Sequence, residues 1–160
     1  MKYLTTLFGL TLAAVIAAGG VIAEPIQKEA AMTARGTFEV KVTPQPQDEG
    51  AGPFGRLYLD KQFHGDIEAV SKGQMLAAQT AVEGSGAYVA LEQVTGTLKG
   101  KRGSFMLQHR GTMRAGSYHM DVTVVPDSGT EELSGIAGSM TIIIEGGKHS
   151  YVFEYTLGGP

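Results

Sequence analysis

From residue 34 onward, apolar and polar residues alternate with period two, and the runs are broken by glycine, of which the chain has 23. The segment 34–43 sends Phe38, Val40 and Val42 to one side and Thr37, Glu39 and Lys41 to the other, the pattern of a strand with one buried and one wet face. Residues 43–55 contain Pro44, Pro46, Gly50, Gly52 and Pro53, which remove backbone donors and forbid a regular ladder, so this is a loop, expected at a barrel mouth. Later turn signals delimit strands near 56–70, 74–81, 86–98, 104–113, 117–125, 138–145 and 149–157, which with the first make eight. No stretch holds a helical period. The fold class predicted is all-β: a single eight-stranded antiparallel β-barrel of calycin-like type, whose closure removes unpaired sheet edges.

Short hairpin loops fix register, because a slip of one residue inverts every side chain. Pairing Glu145 with Lys148 across Gly146-Gly147 puts Ile144 opposite His149, Ile142 opposite Tyr151 and Met140 opposite Phe153. A loop at Gly100-Lys101 places Leu98 by Gly103, Val94 by Leu107 and Glu92 opposite His109. On the next hairpin, His109 faces Val122 and Leu107 faces Val124. The expected inner face includes Phe38, Val40, Val42, Leu57, Leu59, Phe63, Leu76, Ala78, Tyr88, Phe105, Leu107, Tyr118, Met120, Val122, Tyr151 and Phe153. Glu92, His109 and, nearer a rim, His149 interrupt these apolar walls.

Glu92 with His109 is the sharpest chemical signal and the candidate catalytic pair. Burial raises a carboxyl pKa and an imidazolium lowers it, and opposed effects of that kind can hold an acid-base pair near neutrality. The same two residues also fit a buried pair that only satisfies two polar groups and fixes register. Tyr88, Tyr118, Tyr151, His149, Phe105 and Phe153 are the candidate ligand-binding residues, although aromatics of this kind also serve simply as core. His64, Asp66 and Glu68 alternate outward, so no metal site is expected; a bulge at Gly65 would turn the two carboxylates inward. Pro126-Asp127-Ser128-Gly129 reads as a turn. The glycine clusters lack a following helix, so no nucleotide or other cofactor is expected. Ser128 and Ser134 lack the strand-turn-helix elbow of a hydrolase nucleophile.

Upstream, Lys2 precedes a charge-free apolar run over 4–19, too short for a comfortable span, and Val21-Ile22-Ala23 leads directly into the polar Glu24. This predicts a signal peptide over 1–23 cleaved after Ala23, a polar segment over 24–33 and a barrel domain over 34–160, in the periplasm or secreted. No stable membrane insertion is expected after cleavage. Cleavage leaves 137 of the 160 residues, one domain's worth, with 12 basic against 16 acidic side chains. A net charge of about −4 argues against nucleic acid as a partner. With no Cys there are no disulfides, thiolate metal sites or lipid attachment here, and stability rests on packing.

The segments Phe63-His64-Gly65-Asp66, Tyr88-Val89-Ala90-Leu91-Glu92, Gly103-Ser104-Phe105-Met106-Leu107, Pro126-Asp127-Ser128-Gly129-Thr130 and Lys148-His149-Ser150-Tyr151 resemble, in order and spacing, the bacterial domain-of-unknown-function family 3224. Members of that family resemble the allene oxide cyclase barrel. The resemblance, running from about 34 to 157, implies a small closed barrel with a cavity; it implies no activity and carries no catalytic motif. Three functions follow as expectations: first a barrel binding a small hydrophobic or amphipathic ligand, then a cofactor-free isomerase or cyclase using Glu92 and His109, then a filled structural or partner-binding barrel. Homo-oligomerisation is left open.

Overall fold

The computed structural model describes residues 30–158 except 48 and 51; the expected signal peptide and most of the polar segment 24–33 lie outside the described residues. Eight strands, β1 (Met32–Pro44), β2 (Gly55–Gly65), β3 (Ile67–Gln79), β4 (Gly86–Leu98), β5 (Lys101–Arg114), β6 (Ser117–Val124), β7 (Ile136–Glu145) and β8 (Lys148–Leu157), form a closed antiparallel barrel in chain order. β1 closes it by pairing with β8, Ala34 opposite Phe153 and Phe38 opposite His149. One 3-10 turn, Glu131–Leu133, interrupts the meander between β6 and β7.

The β7–β8 and β5–β6 registers are those the turns predict, with Ile144 opposite His149 and His109 opposite Val122. The β4–β5 register differs by two residues: Leu98 pairs with Lys101, Val94 with Phe105 and Ala90 with His109. The loop is Lys99-Gly100 rather than Gly100-Lys101. Both residues take positive φ, 47° and 82°, the conformation of the hairpin turn whose twist matches the strands. A shift of two preserves the faces, so Glu92 and His109 still point inward, as diagonal rather than direct neighbours.

The β2–β3 boundary also moves. The expected break near 71–73 does not exist, because Ser71 pairs with Val94 and Gly73 with Glu92 inside an unbroken β3. The chain turns instead at Gly65-Asp66. There the Gly65 amide donates to Glu68 Oε1 (2.8 Å) and the Arg35 amide donates to Asp66 Oδ2 (2.9 Å), so both carboxylates face outward and serve the turn. Counted from that turn, the inward positions of β3 are Ile67, Ala69, Ser71, Gly73 and Met75. Leu76 and Ala78, expected inside, lie on the outer side, and Leu76 is half exposed.

One end of the barrel, the base, is filled. Phe105 stacks on Phe153 and Phe153 on Tyr155, with centroids 5.6 and 5.1 Å apart. Leu133 on the 3-10 turn is buried beneath them with Leu98 and Ile136. The connection carrying Leu133 is tied to β5 where the Ser104 and Met106 amides donate to Thr130 Oγ1 (2.9 Å) and Ser128 Oγ (3.0 Å), which identifies Ser128 as a turn residue.

Candidate functional site

Burial along the inward positions falls steadily from base to mouth. Phe63, Phe105, Phe153 and Tyr151 are sealed, but at the opposite end Val42, Tyr118 and Ile144, on the same inner faces, are 45%, 48% and 55% exposed. The lumen is therefore a plug of aromatics below and a solvent-reached cup above. The cup is framed by the turns at 80–85, 115–116 and 146–147 and, between β1 and β2, by residues 45–47 and 52–54.

Between plug and cup lies a buried polar cluster. Lys61 on β2, Ser71 on β3, Glu92 on β4 and His109 on β5 point inward from four consecutive strands and are each at most 6% exposed. Lys61 Nζ lies 2.9 and 2.8 Å from the two Glu92 carboxylate oxygens, and Ser71 Oγ donates to Oε2 at 3.2 Å. His109 Nε2 stands 3.1 Å from Oε1 but off the line of a directed hydrogen bond, which leaves it the cluster's unsatisfied polar atom. The ammonium also sits over the rings of Phe38 and Phe63, 5.0 and 5.7 Å from their centroids, which stabilises a cation out of water. Gly73 faces Glu92 across β3–β4, and a Cβ there would come within 2.6 Å of the Glu92 Cβ, so glycine lets the carboxylate lie against the wall.

The Glu92 carboxyl does not titrate near neutrality. Burial pushes its pKa up, but the His109 nitrogen and the Lys61 ammonium outweigh that and hold it down at about 2. Lys61 is the partner that sequence reasoning misses. Its position shares the inward parity of Leu59 and Phe63, yet a lysine in a strand reads as a surface residue, and its side chain gives no sign of a partner 31 positions away. Ser71 lies in Ser71-Lys72-Gly73, a stretch whose composition predicts a turn.

Of the candidate ligand contacts, Tyr88 and Tyr118 line the cup from either side of β5, their hydroxyls 2.9 Å apart. The Tyr88 ring lies over Gly111, directly opposite it on β5, where a Cβ would overlap the ring. Burial, and then the bond to Tyr118, push the Tyr88 pKa upward, so it stays a neutral hydroxyl. His149 is half-buried against Phe38, 5.1 Å between ring centroids, at the edge of the cup. Phe105, Phe153 and Tyr151 lie in the sealed base. The Tyr151 hydroxyl accepts from the Ile67 amide (2.9 Å) and donates to the His64 carbonyl (3.3 Å), so its polar end is spent on backbone.

His64 is exposed, near Glu39 and Glu68 at 3.3 and 3.5 Å, and among the described residues no group of three His, Asp or Glu could hold a metal. A concavity of about 1390 Å3 runs along the outer side of β2–β5 and also takes in Leu59, Met75, Ala90 and His109. Its lining is mostly outward-pointing and includes the exposed apolar residues Tyr58, Leu76, Val89 and Leu91.

A family model described as a protein of unknown function, DUF3224, matches residues 34–155, essentially the whole barrel. The chain belongs to the DUF3224 family. Consistent with this, it is 46% identical to a protein of unknown function from the same family from Shewanella oneidensis MR-1, whose crystal structure it resembles with a TM-score of 0.75. That likeness covers 81% of this chain and 100% of that one. No curated protein is found to match. For the DUF3224 family a reading of function therefore starts from the lumen's own geometry.

Proposed function

We propose that this DUF3224 member is an exported barrel that binds a small amphipathic molecule in the mouth half of its lumen. One observation carries the reading: the inner-face alternation continues to the mouth, but burial does not. Val42, Tyr118 and Ile144 present large apolar surface at inward positions to solvent. A ligand would cover that surface, and each buried CH2 is worth about 0.8 kcal/mol. Tyr88, Tyr118 and His109 supply the few convergent polar groups that orient a ligand in an otherwise apolar pocket. Native mass spectrometry of protein purified from the periplasm should show a small molecule bound to the intact chain; ligand-free protein that also takes up no added amphipath would contradict the proposal. Export rests on Lys2, the apolar run and Val21-Ile22-Ala23, and a secreted chain beginning at Glu24 would support it.

The His109 to Glu92 contact favours a second reading, a cofactor-free isomerase. A carboxylate held at about pKa 2 is a weak base at neutral pH, which supports binding over catalysis. If Glu92 acts as a base nonetheless, Glu92→Gln should cut turnover about 100-fold while an unreactive analogue still binds.

A further inference from the structure

The charges lining the lumen cancel. Among the described residues, the buried inward positions carry one ammonium, Lys61, and one carboxylate, Glu92, and these are each other's partner. From that cluster up to the mouth, Ser71, His109, Tyr88, Tyr118 and His149 contribute hydroxyls and imidazoles. Resting on the binding role proposed above, we infer that the lumen selects an uncharged oxygenated amphipath, an alcohol or ketone, over fatty-acid anions and cationic amphiphiles.

A ligand carboxylate has no free cation to meet, because the Lys61 ammonium lies within 2.9 Å of both Glu92 oxygens and is packed over two phenyl rings. Taking Lys61 away from Glu92 would leave a carboxylate only 2% exposed without its counter-charge, the costly half of breaking a buried pair. A cationic head group is refused for the complementary reason, since Lys61, Ser71 and His109 already surround the Glu92 oxygens. What remains for a neutral oxygen is the Tyr88–Tyr118 hydroxyl pair, which can donate to it or accept from it. This hydroxyl pair lies on one wall of an apolar cup, which matches a molecule with an oxygen at one end and a short hydrocarbon body.

The test compares three probes of one chain length, 1-decanol, decanoate and decyltrimethylammonium, titrated below their micelle concentrations into the intact protein at pH 8 by calorimetry. 1-Decanol is expected to bind at least about tenfold more tightly than either ion. An ion that binds as tightly as the alcohol overturns the inference and leaves the binding role standing; silence from all three probes overturns both. Glu92→Gln leaves the ammonium uncompensated and should shift the decanol-to-decanoate ratio toward decanoate by about tenfold. An unchanged ratio in a folded variant counts against the inference, and the wild-type comparison decides it if the variant does not fold.

Discussion

Lys61→Met removes the ammonium but keeps an apolar stem of similar length against Phe38 and Phe63. The Glu92 carboxylate remains, 2% exposed, with only Ser71 and His109 beside it. In the native protein that carboxyl is held at about 2 instead of 4.5, a displacement equivalent to about 3 kcal/mol of stabilisation. Because the folded value lies below the unfolded one, this contribution is present in full above about pH 5 and is lost as pH falls toward 2. Without Lys61 the burial effect is opposed only by His109, so the folded value climbs and the pH-dependent contribution shrinks. Removing one partner of a buried pair typically costs about 3 to 5 kcal/mol. Urea unfolding from pH 7 down to 2.5 should therefore show the variant about 3 kcal/mol or more less stable at pH 7, with the gap narrowing below pH 5. Replacing Glu92 by Gln as well should recover much of the loss. A loss under about 1 kcal/mol at pH 7, or two parallel pH profiles, would refute the claim that this pair is a buried, mutually dependent unit.

Gly111→Ala places a methyl where the Tyr88 ring lies, so it should cost about 1 to 3 kcal/mol in thermal or chemical denaturation and release the hydroxyl bond to Tyr118, read as a changed near-ultraviolet tyrosine signal. Gly100→Val puts a β-branched residue at φ 82° in the β4–β5 turn; a loss of at least about 1 kcal/mol is expected, and a stability within error of wild type would argue for a different turn. Mass analysis of the exported protein should give Glu24 as the first residue, and retention of Met1 would refute cleavage.

Much of the fold was legible because one face of each strand is apolar. Phe38-x-Val40-x-Val42 and Met140-x-Ile142-x-Ile144 declare their inner side, and Gly146-Gly147 fixes β7 against β8 without ambiguity. Two things were not legible. The sequence Ser71-Lys72-Gly73 carries turn-like composition, but tertiary pairing holds it in the middle of a strand, where Gly73 makes room for Glu92. In Lys99-Gly100-Lys101-Arg102, either pair of central residues makes an acceptable two-residue turn, and only the strand twist selects the one with two positive φ values. The candidate site was half legible for the same reason. Glu92 and His109 stand out as polar residues on apolar walls, but Lys61 looks like any solvated strand lysine until the β2–β3 and β3–β4 registers bring it and Glu92 to either side of β3.

The central claim is that the functional surface is the mouth of the lumen and not the outer concavity along Tyr58, Leu76, Val89 and Leu91. Methyl-resolved NMR during a titration with 1-decanol measures this directly. Shifts should concentrate on the inner-face methyls of Val42, Met120, Ile142 and Ile144, with Val70, Leu76, Val89 and Leu91 unmoved. Shifts confined to the outer set, with the mouth methyls silent, would contradict the account.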